Sequence, residues 1–425
     1  MTTDQQDQAD PTAAAAVAAD LADERLIRSQ GVGGYLHLFL NRLKGGELGS
    51  LPVVIGLIVI SLVFYSIEPR FLSSFSVTNM LQFAAPVGII ALGIVLVLLL
   101  GEIDLSVGSV SGLSAAVMAV LVVNQGWSTT AGMIAGVLTG LAIGALYAVL
   151  YTVVGVPSFV FSLAGLLGFQ GALLYVLGSQ GTLNLPNDSW LVQFARTKFL
   201  TGVPSYLLVV LVAAAYLLAQ MYGRSRRQAA DLSTPPLGLV LVRAGALAIG
   251  GLGLVWYVQQ ASGRGIGYLV LLFATLVVLM DLALRKTAWG RHVFAVGGNE
   301  EAARRSGIKV GRVYFSVFAL CSMLASLGGL MAAAQLTSVS QASGTTDTNL
   351  TAIAAAVIGG TSLFGGRGSA YAAMLGIIVL QAIQSGLNIV GVDSSVRFMV
   401  TGGVLLLAVA IDSVSRRART SSGRG

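Results

Sequence analysis

Apolar stretches of roughly membrane length follow one another from Leu51 almost to the C-terminus, separated by short polar breaks. Twelve of them, at 51–67, 80–100, 105–123, 130–151, 158–178, 203–222, 237–259, 266–284, 313–336, 349–364, 369–390 and 396–414, approach the roughly 20 residues that a helix needs to cross a bilayer. The pattern predicts an all-α polytopic membrane protein with about 10–12 transmembrane helices. Two intervals admit a second reading. Residues 101–108 and 337–366 are Gly-rich or polar enough for broken helices or re-entrant segments. Longer loops fall at 179–202 and 223–236. The first holds Leu185-Pro186-Asn187-Asp188 and then Trp190, a turn followed by an interfacial aromatic, and reads as a capped loop or a lid.

Charge assigns the sides. With the N-terminus inside, 19 of the 25 Lys and Arg fall on inner segments, five on outer ones (Arg70, Arg196, Lys198, Arg264 and Arg397), and Arg243 within a span. This bias predicts that both termini are cytoplasmic, with a 1–50 tail, a 51–414 membrane domain and a 415–425 basic tail. The net charge of +7 is explained by basic residues beside apolar runs, and nothing in their distribution points to nucleic acid.

The longest polar interval, Arg285 to Arg312, carries seven of the basic residues and is therefore expected to face the cytoplasm. Within it, Asn299 to Gly307 is written as a very short helix. Asn299 is a capping residue, Glu300 and Glu301 stand in the first turn, Arg304 and Arg305 in the last, and Gly307 suits a left-handed stop. Both Glu–Arg pairs are spaced i, i+4, worth about 0.2–0.5 kcal/mol each. Ala302, Ala303 and Ser306 form a small, nearly bald face. A helix so far below the roughly 12–15 residues of marginal independent stability needs tertiary or partner contacts. It reads either as a capped connector or as a docking helix for a cytoplasmic partner.

Composition agrees and narrows the chemistry. The chain has 425 residues, 55% hydrophobic, 10% charged and 53 Gly, with a mean hydropathy of +0.83, outside the range of soluble domains. A lone Cys321 and two distant His, His37 and His292, give neither an internal disulfide nor a metal-ligand spacing. No P-loop pattern occurs, so no nucleotide cradle of that kind is expected. No Asp, Glu or His lies near a span centre, which argues against an ion-coupled carrier. No nucleophile, base and orienter set can be assembled for an enzyme.

Gly101-Glu-Ile-Asp-Leu-Ser-Val-Gly108 interrupts one long apolar run. It reads as a tight turn capped by Asp104 or Ser106, or as a helix break that places Glu102, Asp104 and Ser106 on a pathway or gate. Gln381, Gln384 and Asn388 recur at i, i+3 and i+7 on one helix face. They could line a path for a neutral hydrogen-bonding solute or bond between packed helices. Gln82, Gln170, Gln335 and Asn349 are isolated amides with the same two readings. Gly132, Gly136 and Gly140 make a close-packing seam.

Three stretches in order resemble the permease subunits of bacterial ABC sugar importers, the ribose and xylose type within the branched-chain permease family. They are Gly101-Glu-Ile-Asp-Leu-Ser-Val-Gly-Ser109, Gly290-Arg-His-Val-Phe-Ala-Val-Gly-Gly-Asn-Glu-Glu-Ala-Ala-Arg-Arg-Ser-Gly-Ile308 and Ile358-Gly-Gly-Thr-Ser-Leu-Phe-Gly-Gly-Arg-Gly-Ser369. The resemblance runs from about residue 70 to 414, with Glu102 where Gly is usual and Phe294 where Tyr is common. An extra segment at about 223–265, expected to add a helix pair, is more like the xylose and multiple-sugar type. The resemblance implies an inner-membrane permease that works as a pair, here a homodimer, and itself binds no cofactor. Separate ATPase subunits would bind ATP and Mg, and an external sugar-binding protein would deliver the solute. It also implies that Gly290, Arg291, Gly297, Gly298, Asn299, Glu300, Glu301, Ala302, Ala303, Gly307 and Ile308 couple the chain to the ATPase. Its same-family rivals are permeases for ribose, a nucleoside, a branched-chain amino acid or a signalling furanose. An ion-coupled transporter or a channel would be a rival of another class.

Overall fold

A computed structural model describes residues 51–230, 234, 236–260 and 264–421. The expected N-terminal tail and the last four residues of the basic tail lie outside the described residues. The helices are α1 Leu51–Ile67, α2 Ser74–Leu99, α3 Val107–Ala119, α4 Thr129–Val149, α5 Ser158–Leu177, α6 Val203–Gln228 and α7 Leu237–Val258. They continue as α8 Tyr268–Lys286, α9 Ala288–Gly298, α10 Glu300–Arg305, α11 Val310–Leu336, α12 Thr346–Ile358, α13 Ala370–Ile389 and α14 Ser394–Ser421. Each of α3 and α4 ends in a wider turn, Val120–Asn124 and Leu150–Val154. Among the described residues nine helices are long and apolar enough to cross a membrane.

Every predicted apolar stretch contains a helix, but among the described residues those at 51–67, 349–364 and 396–414 are not among the nine, and 349–364 is the one cut short inside the bundle. There α12 is only 13 residues long, about 20 Å at 1.5 Å per residue. It stops because Gly359 presses backbone on backbone against Ala372 of α13 and Gly360 turns left-handed at φ +102°. The chain then returns through 359–369 to the end of α2. The region is a broken membrane segment, the second of the two readings that the sequence left open.

Two compact units divide the chain. One holds α6 and α7, with Gly251 of α7 facing Val209 of α6; of the helix pair expected at 223–265 only α7 lies within that segment, because α6 begins at Val203 and fills the predicted stretch 203–222. The other holds the remaining described elements, with α2 at its centre. Almost every residue of α2 from Ala84 to Leu99 is buried, so that helix is apolar all round, as a helix enclosed by others must be. Around it pack α11, α13, α12 and α8, with Gly93 against Cys321 of α11, Gly328 of α11 against Ile90, and Gly88 against Phe273 of α8. The Gly132, Gly136 and Gly140 seam of α4 faces Val122 and Met118, then Ser114 and Leu330, then Ser322 and Ser326. Alongside it, the buried hydroxyls of Ser114 and Ser326 bond at 2.7 Å. Since helix association in lipid rests on such close approach and on interhelical hydrogen bonds, Gly140→Leu should lower the yield of folded, inserted protein. Gly171→Leu, at a position with open space around it, should leave that yield unchanged in the same membrane-fraction assay.

The loop at 179–202 is tied down at several points. Strand β1 (Thr182–Asn184) pairs antiparallel with β4 (Ser338–Ser340), with Leu183 opposite Val339. Strand β2 (Phe199–Leu200) pairs with β3 (Ile266–Gly267). Ser189 caps the turn of helix at Trp190–Val192, and the Trp190 indole N–H donates to Thr130 Oγ1 at 3.1 Å. These anchors favour the capped-loop reading over the lid.

Candidate functional site

The three glycine-rich stretches singled out in the sequence meet at one end of the helix bundle. Gly366 N–H donates to the Leu99 carbonyl at 2.9 Å. A Cβ on Gly297 would run into that same carbonyl and the Gly366 amide, and one on Gly365 would face the Gly297 carbonyl and the Gly101 amide. Gly101, Gly365 and Gly366 all have positive φ, at +81°, +82° and +70°, which only glycine adopts without cost. The junction is therefore backbone against backbone. Its geometry joins α9 to the end of α2 and to the return loop after α12.

From this junction α9 and α10 project as a polar hairpin. Thr287 caps α9 by accepting from Gly290 N–H at 3.2 Å, and the Trp289 indole N–H donates to Ser316 Oγ of α11 at 2.8 Å. Val293 and Val296 are buried beneath, while Arg291 and Gly298 are exposed and Ile308 is half-buried. The α10 helix has the ends that its sequence predicts. Asn299 Oδ1 accepts from Ala302 N–H at 2.9 Å, and Arg304–Glu300 and Arg305–Glu301 pair at 2.6 and 3.1 Å. At the far end Gly307 N–H reaches the Arg304 carbonyl and Ile308 N–H reaches the Ala303 carbonyl. With Gly307 at φ +85°, this is the paired-bond stop of a Schellman motif.

The expected bald face is divided. Ala303 is only 4% exposed and belongs to the chain's own core, so α10 has an internal seat and does not depend on an external cleft for all of its support. Glu301, Ala302, Arg304, Arg305 and Ser306 remain exposed. That free surface is small at its centre and charged at its rim.

A hydrogen-bonded ladder links α10 to the 101–106 segment. Tyr314 Oη on α11 donates to Glu300 Oε2 at 3.3 Å. Tyr151 Oη, in the terminal turn of α4, donates to Glu102 Oε1 at 2.7 Å. The two tyrosine rings pack against each other, centroids 4.4 Å apart. Glu102, expected only as a pathway or gate residue, is thus one end of a tie whose other end is the projecting hairpin. The tyrosines were not legible as site residues, because 163 positions of sequence separate them and only the packing of α4 on α11 makes them neighbours. Hydrogen bonds to charged groups contribute about 1.5–3 kcal/mol when well shielded, less where water competes. A double-mutant cycle of Glu102→Gln with Tyr151→Phe should therefore give a coupling energy of about 1 kcal/mol in detergent unfolding titrations. Strict additivity would remove this tie.

The 101–106 segment itself is a turn. Ser106 N–H and Oγ both donate to Asp104 Oδ1, at 2.8 and 2.7 Å, and Tyr147 Oη donates to Ser106 Oγ at 2.7 Å. Asp104 is buried. Burial pushes its carboxyl pKa up, and the two Ser106 donors oppose that shift. Its other oxygen, Oδ2, has no partner among the described residues. Ser106 stands at the N-cap of α3 but makes no side-chain cap bond, so of the two expected cappers Asp104 is the one that organises the turn. The first turn of α3 is instead held by Asn349, whose Oδ1 accepts from Gly108 N–H. Asn349 therefore bonds between segments, as do Gln82, which donates to the Ala195 carbonyl at 3.4 Å, and Gln170, which donates to the Gln341 carbonyl at 3.0 Å.

Away from the junction, Gln384 and Asn388 of the amide face line a cavity with Asp347, Ser394, Arg397, Phe398 and Thr401. Gln381 does not line it. Asp347 was missed because it falls beside the predicted stretch 349–364 and reads as a loop charge, and Arg397, at the start of the stretch 396–414, was read only as an outer charge.

A bundle of long apolar helices with a broken segment, a backbone-to-backbone glycine junction and a projecting capped hairpin defines a multi-pass membrane protein of the permease class. The chain belongs to the family described as branched-chain amino acid transport system / permease component, which matches residues 76–409. It is 36% identical over 376 residues to the xylose transport system permease protein of Escherichia coli (strain K12), covering 88% of this chain and 94% of that one. The xylose transport system permease protein of Haemophilus influenzae is 33% identical over 372 residues, covering 87% and 98% of the two chains. The ribose import permease protein of Bacillus subtilis is 30% identical over 367 residues, covering 86% and 94%. No solved structure gives a significant match.

Proposed function

We propose that this chain is the transmembrane subunit of an ATP-binding cassette importer for a monosaccharide, xylose-like first and ribose-like next. It works in the inner membrane with both termini in the cytoplasm, beside a second copy of itself. Separate cytoplasmic ATPase subunits bind ATP and Mg, and an external sugar-binding protein delivers the solute. The names and near full-length coverage of the relatives support the solute class. The strong bias of Lys and Arg supports the orientation.

The observation that carries the mechanism is the meeting of Gly101, Gly297, Gly365 and Gly366 at the root of the α9–α10 hairpin. The exposed face of α10 seats in the ATPase, and closure of the ATPase pair pushes on the hairpin. The push reaches α2 and the α12–α13 return loop through contacts with no side chain to absorb it. The Glu300–Tyr314 and Tyr151–Glu102 bonds carry the same displacement toward the start of α3. Close-packed interfaces with discrete arrangements transmit small shifts in this way.

The test is reconstitution. Affinity-tagged permease should retain an ATPase subunit on purification, and proteoliposomes supplied with the binding protein should take up D-xylose or D-ribose in a vanadate-sensitive manner. Vanadate-insensitive uptake that follows a proton or sodium gradient would contradict the reading. Vanadate-sensitive uptake of L-leucine in place of either sugar would keep the transporter class and overturn the solute.

A further inference from the structure

The cavity bounded by α12, α13 and the start of α14 lies toward the opposite end of α13 from the glycine junction. Its volume is about 200 Å³. Counting about 30 Å³ for each water in the liquid, this is room for roughly seven waters, the scale of one monosaccharide ring. Asp347, Asn388, Ser394 and Phe398 are exposed, so the cavity opens at the surface. Ser394, Arg397 and Thr401 follow one another at i, i+3 and i+7, which gives α14 a polar stripe on its cavity side, with Phe398 beside it.

Arg397, Asn388 and Ser394 bond among themselves, whereas the side chains of Asp347 and Gln384 are not engaged by any described residue. Asp347 makes neither a hydrogen bond nor an ion pair with another described residue, although Arg397 lines the same cavity. The Arg397 guanidinium is held on its terminal nitrogens, one donating to Asn388 Oδ1 and the other to Ser394 Oγ at 2.8 Å. Its Nε is buried without a partner among the described residues. The Gln384 amide is likewise unengaged by any described residue. Buried polar groups ordinarily pair, and charged residues within a membrane bundle are costly enough to mark functional positions. Here a carboxylate and a free amide, neither engaged by a described residue, stand beside a positioned guanidinium at one opening.

Resting on the importer reading above, we propose that this cavity is a recognition subsite for one neutral polyhydroxylated solute of monosaccharide size. Asp347 accepts from adjacent hydroxyls, which offer paired donors to its two oxygens. The Gln384 amide donates to hydroxyl or ring oxygens, and Phe398 offers an apolar surface to the C–H side of the ring. A carboxylate-bearing solute fits less well. The two-pronged grip that arginine gives a carboxylate is taken up here by Asn388 and Ser394. Under the orientation proposed above, the cavity stands at the external end of the bundle, where solute released by the binding protein arrives.

The experiment is saturation-transfer NMR on the permease–ATPase complex in nanodiscs, without the binding protein, using D-xylose, D-ribose and L-leucine as probes. The wild-type complex should transfer saturation to a sugar and none to leucine. Asp347→Asn and Gln384→Leu should each weaken the apparent sugar affinity about tenfold or more, the loss of one hydrogen bond involving a charged group or a buried amide. The ATPase should still copurify with both variants, which separates loss of a ligand contact from loss of fold. Phe398→Leu, which keeps apolar bulk, should weaken binding less than either. Sugar binding that is unchanged in both polar variants would overturn the subsite and leave the importer reading intact, provided wild-type proteoliposomes import the sugar. Saturation of L-leucine alone would overturn it as well. Failure of the wild type to import either sugar would remove the importer reading and the subsite together.

Discussion

A Gly297→Val permease should insert normally and retain its ATPase, yet import solute at about a tenth of the wild-type rate or less. The Cβ and methyls have nowhere to go, because Gly297 lies against the Leu99 carbonyl and the Gly366 amide. These are backbone atoms of two separately anchored segments, and neither can swing aside as a side chain would. Overpacking a close-packed site costs about 1–3 kcal/mol. If the strain falls on only one of the transporter's working states, each 1.36 kcal/mol slows the step about tenfold. Gly168→Ala is the matched control, since a Cβ there meets nothing; it should import at the wild-type rate. ATPase activity and uptake measured in the same proteoliposomes separate uncoupling from loss of protein. Equal loss of ATPase retention and uptake in Gly297→Val would mean that the junction is only structural.

The second large effect should come from the opposite face of the hairpin. Ala302→Trp places a bulky ring at the centre of the exposed surface of α10, where the native side chain is a methyl group. The permease itself should be untouched, because Ala303 and not Ala302 makes the internal contact. ATPase retained on affinity purification should fall at least tenfold, the consequence of about 1.4 kcal/mol or more of steric exclusion. The two variants thus predict opposite phenotypes, with ATPase bound but uncoupled for Gly297→Val and ATPase lost for Ala302→Trp. A third variant, Gly307→Ala, removes the left-handed stop at φ +85° and should cost about 1 kcal/mol of hairpin stability. Its effect should be intermediate in both assays.

How much of this was legible in the sequence depends on the distance over which each feature is determined. The α10 helix was legible in full because its cap, its pairs and its stop all lie between Asn299 and Ile308, and each acts on its neighbours. The helices were legible because hydropathy reports burial or lipid contact over twenty residues at a time. The same measure failed at α12, where Ala352 to Val357 are as apolar as any span but Gly359 and Gly360 stop the helix against α13. The glycines of the junction were visible as three motifs, but nothing in them said that the motifs touch. Tyr151 and Tyr314 were beyond reach for the same reason. Each is an ordinary residue until helix packing brings the two rings together. The division of the bald face between Ala303 and Ala302 is likewise a fact of which way α10 leans.

The exposed face of α10 as the seat of the ATPase is the centre of the account, and photocrosslinking in intact membranes tests it most directly. A benzophenone amino acid placed at Glu301, Ala302 or Arg305, one position at a time, should form a covalent adduct with the ATPase subunit. The yield should change when vanadate and ATP trap the closed state. Trp190, in the loop tied to β1 and β4, serves as the reference and should give no ATPase adduct. Adducts to the ATPase from none of the three α10 positions, in membranes that import the solute, would contradict the account.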